Sequence, residues 1–396
     1  MKALIYVPES APEVKVANIQ RFGANVIRVG QSFDECLAAA RAERGSAQDG
    51  ARFVHPFDER LVVAGQGTIG FELIEHLKDL SAHRRFDRVR VFVPIGGGGL
   101  VSGIASVLKT RWPAELPRPE IIGVVDESSP AAVVGALFGR PVQAVPDTIA
   151  DGTRVARVGE TFVSLAPLID RVMLIPHDTI VATMRDYHHL HSRMLEPSGV
   201  LALAGERFAR RHFLLPNMSS GLSYTILSGA NVDPGIFENA VSSPMRMNQH
   251  SHERCAFDVV VRERDGELLR FLRAVGQHNI AGLTYKQEPE CGSGTLHVDF
   301  EVARSETLRL ERVLSQHFPG SYRLAEGSQA LFSVGDPVAQ AYREELITLD
   351  DRPGSFLRYT EALHQQGALG SVGFLFYRKP AQTGSKAQVV IGRHVH

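Results

Sequence analysis

Four consecutive glycines, Gly96, Gly97, Gly98 and Gly99, stand between a strand pattern and a helix pattern. Val89, Val91 and Val93 alternate with Arg90 and Phe92, the period-2 spacing of a strand, and Pro94 stops it. Leu100, Ile104 and Leu108 then recur at i, i+4 and i+8 as one apolar stripe of a helix. Four residues without side chains let backbone N–H groups turn inward together, and the helix start adds the positive end of its dipole. Converging amides at a helix N-terminus hold phosphate, so the spacing points to a phosphorylated small molecule. A tight strand-to-helix turn with no ligand is the other use of such a run, and it stays open here.

Two familiar phosphate motifs fail. The dinucleotide fingerprint needs glycines at positions 1, 3 and 6, but counting from Gly96 the sixth is Val101, and from Gly97 it is Ser102. Asp126, after the strand pattern Ile121 to Val125, could stand in for a ribose-binding acid, yet the turn does not support it. The nucleoside triphosphate loop fails because Gly98 to Gly103 is followed by Ile104 where a lysine is required.

The elements that must position this loop carry further strings. Upstream are Pro8-Glu9-Ser10-Ala11-Pro12 with Lys15-Val16, His55-Pro56-Phe57-Asp58, and Ala64-Gly65-Gln66-Gly67-Thr68-Ile69-Gly70. Downstream are Ala150-Asp151-Gly152, Val158-Gly159-Glu160, Glu196-Pro197-Ser198-Gly199 leading into Ala202-Leu203-Ala204-Gly205, and Ser228-Gly229-Ala230-Asn231. With Pro94-Ile95-Gly96-Gly97-Gly98-Gly99-Leu100, this ordered set resembles the pyridoxal-phosphate enzymes of the tryptophan-synthase-β fold (fold type II), and among them the threonine dehydratases. The resemblance implies an α/β domain in which the backbone of Gly96, Gly97, Gly98, Gly99 and Leu100 binds the phosphate of pyridoxal 5′-phosphate. It implies that Ser228 hydrogen-bonds the pyridine nitrogen and that Glu196 sits near the ring edge. A neutral hydroxyl at that nitrogen leaves the ring less electron-withdrawing than a carboxylate would, which suits β-elimination over transamination. Each residue also has a plain structural role open to it, Ser228 as a loop cap and Glu196 as a surface acid before a proline turn.

The sequence departs from the family in one respect. The family carries its cofactor on a lysine in an S-x-K-x-R-G-A segment and grips the substrate carboxylate with an S-G-N-H loop, both upstream of the M-P-x-x-A-P segment. Lys2, Lys15, Lys78, Lys109, Lys286, Lys379 and Lys386 stand in no such context, and no S-G-N-H string occurs. The expectation is a chain that opens inside its small subdomain, lacks the Schiff-base lysine and offers no catalytic residue to assign. Positioned proton transfer alone is worth roughly 10²–10⁴ in rate, so such a chain would bind cofactor weakly without turning it over. Lys109 lies roughly 15 Å along a helix from the glycines at 1.5 Å per residue, and Lys78 sits on a surface-facing helix; neither is a convincing substitute.

At 396 residues the chain has room for two or three domains, and a net charge of −1 with 22% charged residues gives no electrostatic case for nucleic acid or an acidic membrane. Apolar runs are broken well short of a membrane span. Ala3 to Val7 reads as a strand running into Pro8, too short for a secretory signal. Cys36, Cys255 and Cys291 read as reduced thiols, which places the protein in the cytoplasm. His188 and His191 could share a helix face with Asp186 nearby, but a solvated face is the expectation over a metal site.

Past Asn231 a polar stretch with Pro234 and Pro244 reads as a linker to His252. Two segments then repeat. Phe257 to Val261 is followed by Asp265 to Leu272, and Glu345 to Leu349 by Arg352 to Tyr359, with Gly266 matching Gly354, Leu269 matching Leu357, Arg270 matching Arg358 and Phe271 matching Tyr359. Leu283 to Lys286 and Phe374 to Arg378 supply later strands, giving two βαββαβ-like modules. These resemble the ACT-like regulatory repeats of biosynthetic threonine dehydratases, with Asp265 replacing the proline of the second copy's Arg352-Pro353-Gly354 pattern.

The expected organisation is 1–245 for the incomplete fold-type II domain (1–55 the small subdomain, 56–245 the large one), with α+β ACT-like domains at 253–335 and 340–396. The resemblance implies removal of water from L-threonine to give 2-oxobutanoate and ammonia, under control of a branched-chain amino acid at the ACT-like region. It further implies a homo-oligomer, or a partner supplying the missing N-terminal segment. A non-catalytic binding relative and one half of a split enzyme are the alternatives, and uncovered apolar edges would make the isolated chain aggregation-prone or partner-dependent.

Overall fold

The computed structural model describes residues 3–46, 52–211, 215, 218, 221–232, 234–242, 252–262, 266–276, 278–288, 293–324, 331–333, 342–349, 355–369, 372–378 and 387–394. The chain opens with β1 (Leu4–Val7), α1 (Glu13–Arg21), β2 (Asn25–Arg28) and α2 (Phe33–Ser46), whose two strands pair in parallel with Leu4 opposite Asn25. A larger α/β layer follows: α3 (Arg60–Gln66), α4 (Thr68–Ser81), β3 (Val89–Pro94), α5 (Gly99–Arg111), β4 (Pro119–Asp126) and α6 (Ala131–Phe138). It continues through α7 (Glu160–Leu165), β5 (Arg171–Ile175), α8 (His177–His191), α9 (Pro197–Arg211), β6 (Leu222–Thr225) and α10 (Pro234–Ser242).

Every residue of β3 is buried, as expected of a central strand covered on both faces by helices. Its alternation distributes the core. Val91 and Val93 join Ile104, Leu108, Ile121 and Val125 on one face, while Phe92 joins Ile122, Val124, Met173, Val200 and Leu201 on the other. β5, β4, β3 and β6 run parallel in that spatial order. Arg90, fully buried, points along the ladder to its register partner Glu120 at 2.9 Å, and Glu120 also accepts from Arg171 Nε at 2.8 Å. Burying a guanidinium is tolerated only when it is paired in this way.

Within the stretch expected to be a linker, residues 234–242 form α10, and 243–251 lie outside the described residues. Pro234 opens α10, its fixed φ suiting a first helical position. Phe237 is buried in the second core face, edge-on to His188 with centroids 5.0 Å apart. Apolar burial thus overrides the polar composition that suggested a loop.

The C-terminal part comprises β7 (His252–Arg262), α11 (Glu267–Val275), β8 (Ile280–Glu288), β9 (Ser293–Ala303), α12 (Arg304–His317), β10 (Tyr322–Leu324), β11 (Leu331–Ser333), β12 (Tyr342–Leu349), α13 (Ser355–Gln365), β13 (Val372–Arg378) and β14 (Ala387–His394). Seven of these strands form one antiparallel sheet in the order β10-β7-β9-β8-β13-β14-β12. The first repeat is a βαββαβ module. The second shows β-α-β-β among the described residues, and the two join edge to edge through β8 and β13. Asp265 and Arg352-Pro353-Gly354 lie outside the described residues.

One face of this sheet packs under α11, α12 and α13 through Phe257, Phe271, Leu272, Phe300, Leu310 and Leu375. The opposite face of the second module meets the parallel-sheet layer, where Phe376 and Val390 share a core with Val133, Val134 and Val142. The short β11, between the two modules, leaves this sheet altogether and pairs antiparallel with β5, Leu331 opposite Met173.

Candidate functional site

β3 delivers the glycine run to the carboxyl ends of the parallel strands, where open α/β sheets place their ligands. Ile95 N–H donates to Val124 O at 2.9 Å and holds the strand end. Gly98 then adopts φ +95°, a left-handed conformation that favours glycine, and caps α5. Gly97 is the point of closest approach, since a Cβ there would enter the ring of Phe57. Among the described residues, no hydrogen bond uses the N–H of Gly96, Gly97, Gly98, Gly99 or Leu100 as donor, although Gly97, Gly98 and Gly99 are buried. Buried amides are almost always paired, so this row is a cradle shaped for a group with several acceptor oxygens.

The His55-Pro56-Phe57-Asp58 string holds that cradle. His55 Nδ1 accepts the N–H of Asp58 at 2.9 Å and of Phe57 at 3.3 Å. It therefore carries no proton on that nitrogen, and burial pushes its pKa below the ordinary imidazole value. Asp58 takes the N–H of Thr161 at 2.9 Å and of Glu160 at 3.1 Å at the start of α7. Burial alone would raise the Asp58 pKa, but those amides outweigh it and the carboxyl lies below its usual range. Phe57 stacks on Phe33 of α2 with centroids 5.5 Å apart, tying the N-terminal unit to the loop.

Facing the glycines is a second wall. A Cβ on Gly96 would come within 2.8 Å of Thr153 Cα and 3.3 Å of Gly152 O, so the Asp151-Gly152-Thr153 turn lies directly against the loop. A Cβ on Gly152 would in turn lie 3.1 Å from Ser198 Oγ and 3.8 Å from Glu196 Oε1. Ser198 Oγ is buried and has no hydrogen-bond partner. Glu196 N–H donates to Gly229 O at 3.2 Å, its side chain abuts Gly229, and the neighbouring Ser228 is exposed. Burial pushes the pKa of Glu196 up; Lys15 pulls it down and Asp151 adds to the rise. The structure thus brings Gly96 to Gly99, Glu196 and the loop bearing Ser228 to one concave edge, with Leu100 partly buried at the first turn of α5.

Several residues here escaped the sequence reading. Phe57, His55 and Asp58 stood in a recognised string with no role attached, and Ser198 was hidden inside another. Lys15 donates to Asp151 Oδ2 at 2.8 Å. Lys109 is committed elsewhere, to Asp170 at 2.7 Å and Pro119 O at 3.0 Å, and Lys78 is exposed on α4. Asp126, weighed as a ribose partner, is fully buried and held by Thr148 Oγ1 at 2.5 Å and Ser128 N–H at 2.8 Å. Among the described residues no group of three His, Cys, Asp or Glu could hold a metal, and Asp186 pairs with Arg207.

Similarity to known proteins agrees with this geometry. The processed form of threonine deaminase isoform 2 from Solanum lycopersicum has a similar fold, with a TM-score of 0.52 and 32% identity over 60% of this chain and 61% of that one. A second threonine deaminase, from T.th., gives a TM-score of 0.51 and 30% identity over 59% of this chain and 71% of that one. The fold is that of a fold-type II pyridoxal-phosphate enzyme. The family model described as pyridoxal-phosphate dependent enzyme matches residues 1–227. L-threonine dehydratase biosynthetic IlvA of Escherichia coli K12 is 30% identical over 390 residues, covering 96% of this chain and 71% of its own length. The Arabidopsis thaliana chloroplastic enzyme is 29% identical, with 64% of its length covered. The chain belongs to the pyridoxal-phosphate-dependent enzyme family, on the biosynthetic threonine dehydratase branch. Pyridoxal phosphate is the cofactor this membership implies, and the unpaired loop amides with the orphaned Ser198 hydroxyl fit a phosphorylated, polar ring.

Proposed function

We propose that this chain serves pyridoxal-phosphate-dependent elimination of water from L-threonine, giving 2-oxobutanoate and ammonia and leading into isoleucine synthesis. The observation that carries this reading is the row of unpaired amides from Gly96 to Leu100, faced by Ser198, Glu196 and the Ser228–Gly229 loop. When bound, the cofactor supplies an electron sink for the pair released at the substrate α-carbon. The loop amides would hold its phosphate, Ser228 would bond its ring nitrogen, and Phe57, packed against Gly97, would cover one side of the loop. Glu196, whose pKa burial raises, would stand at the ring edge between Gly152 and Gly229.

In the same proposal the two C-terminal modules are an ACT-like pair that takes a branched-chain amino acid. Support comes from a continuous run of contacts. Gln388 on β14 is hydrogen-bonded to both the N–H (3.1 Å) and the carbonyl of Val145. The same segment reaches Thr148, which anchors Asp126 and the Ala150 N–H, and ends at Gly152 against Gly96. A change in the β14 face therefore has a packed route to the phosphate loop.

The test is a titration of the purified full chain with pyridoxal phosphate, followed by absorbance, with 2-oxobutanoate release from L-threonine measured with and without L-isoleucine. Saturable binding that inorganic phosphate competes away, with product formed, is expected. No phosphate-competed binding would sink the reading. Binding with no product would leave a cofactor-binding protein without turnover.

A further inference from the structure

The C-terminal sheet carries three helices on one face, and where they converge lies a groove of about 490 Å³. Its walls include Glu267, Leu269, Arg270 and Arg273 of α11, His317 at the end of α12 and His364 of α13. Arg270 is committed to the fold. It pairs with both carboxylate oxygens of Glu267, donates to His317 O and lies over the Phe318 ring at 4.8 Å. Arg273 is committed only in part. Its Nε donates to Glu361 at 3.2 Å, and among the described residues its two terminal amino groups make no hydrogen bond. The ring of His317 makes none either; that residue is held through its carbonyl.

The internal repeat separates the residues particular to this groove from those shared by both modules. Arg273 and Glu361 stand 88 residues apart, the same offset that matches Gly266 with Gly354 and Arg270 with Arg358. A contact between matching positions marks the approximate two-fold axis relating α11 to α13. Arg270 has a basic counterpart; Arg273 has none, since Glu361 takes its place. His364 is matched by Gly276, and there the corresponding space is closed: a Cβ on Gly276 would lie 3.2 Å from Leu357, the counterpart of Leu269. Of the two related ends, the one at the start of α11 is open and basic.

We propose that this groove binds a small phosphorylated anion. Arg273 supplies the fork that a phosphate takes, His317 and His364 add donors from the other two helices, and Leu269 gives an apolar patch for the organic remainder. A single carboxylate has two oxygens, which one guanidinium satisfies. Donors converging from three helices suit the three terminal oxygens of a phosphate monoester. An α-amino acid fits poorly, because its ammonium needs a carboxylate and both oxygens of Glu267 are on Arg270. The inference stands independently of the cofactor site, and it puts any branched-chain effector elsewhere on the modules.

Histidine signals test it at the groove itself. The full chain, carrying carbon-13 at histidine Cε1, is titrated with inorganic pyrophosphate and followed by NMR, the two ring signals being assigned through His317→Gln and His364→Gln. Both signals should shift together and saturate with one dissociation constant. Arg273→Gln should weaken that constant at least about tenfold, as for loss of a hydrogen bond to a charged group. Arg358→Gln removes the same charge from the matching position outside the groove and should change it less than about twofold, since distant exposed charges are screened. His55, which supports the glycine loop, reports that site in the same spectra. Shifts confined to His55, or no saturable shift of His317 and His364 at millimolar pyrophosphate, overturn the proposal. Equal weakening by the two arginine variants overturns it too, because the effect would then be one of net charge. Movement of both ring signals by L-isoleucine in competition with pyrophosphate would give the groove to the amino acid and equally overturns it. The wild-type titration needs only the assigned signals, so a folding defect in Arg273→Gln could not rescue the proposal.

Discussion

Gly97→Ala tests the cradle through an interaction whose size follows from the packing. The new Cβ falls within the ring of Phe57, which is half-buried and stacked on Phe33. Overpacking of this kind costs about 1–3 kcal/mol, and displacing the ring forfeits a stacking contact worth about 0.5–1.5 kcal/mol. The variant should therefore lose about 2–4 kcal/mol of stability. At 1.4 kcal/mol per tenfold, only half of the lower figure appearing in the loop amides would already weaken cofactor binding several-fold. Phe57→Ala alone removes a partly buried ring, and its cost should fall at or below the roughly 3–5 kcal/mol of a fully buried phenylalanine. In the double variant the methyl enters the space the ring has left. The summed single losses should then exceed the double loss by at least about 1 kcal/mol, within the range for residues in contact. Urea denaturation of all four proteins, with a common slope, measures this. Additivity within about 0.5 kcal/mol would refute the reasoning, because the methyl and the ring would not be competing for one volume.

Other perturbations probe separate links. Gln388→Leu removes both side-chain partners of the Val145 backbone and should cost about 1–2 kcal/mol; an unchanged urea midpoint would show that this contact between sheet and loop carries no energy. Arg90→Met strips Glu120 of its buried partner while Arg171 remains, so the loss should be about 3 kcal/mol, at the low end for a broken buried pair, and thermal unfolding reads it. Stability should also fall with acid. His55 is lowered by burial, so its contribution is complete above the ordinary imidazole value of about 6.5 and is lost as pH drops through the folded value. Burial works against Asp58, but its net shift is downward, so its contribution is complete above the ordinary carboxylate value and is lost at still lower pH. A urea midpoint that stays flat from pH 7 to 5, or the same slope in His55→Gln, would contradict the assignment to His55.

What could be read from residue order was local. The alternation of Val89, Val91 and Val93, the stop at Pro94 and the stripe from Leu100 to Leu108 foretold β3, the loop and α5, because period and breaker residues act over a few positions. The repeat from Phe257 and from Glu345 likewise foretold β7 with α11 and β12 with α13. Contacts that close over long stretches left no such trace. Nothing in the spacing of Lys15 and Asp151 marks them as partners, since the fold of the whole intervening segment brings them together. Phe57 on Gly97 is of the same kind: a string could be recognised while the ring's landing place could not. The fusion of both modules into one sheet also depends on edge pairing between β8 and β13, which hydrophobic pattern does not encode.

The position of β11 bears on how this molecule is assembled in time. A three-residue strand taken from between the two C-terminal modules seals the β5 edge of the parallel sheet. A strand that short contributes little until its partner edge exists, and the loop it closes runs through α8, α9, β6, α10 and the whole first module, so it can lock only after the parallel sheet and that module have formed. During synthesis the β5 edge would stay bare until the ribosome has moved well into the second module, which makes that interval the window for mispairing between chains. A protease cut on either side of Leu331–Ser333 after folding would loosen the edge of the first sheet while leaving the ladders of the seven-stranded sheet, and its packing against the parallel layer through Phe376 and Val390, in place.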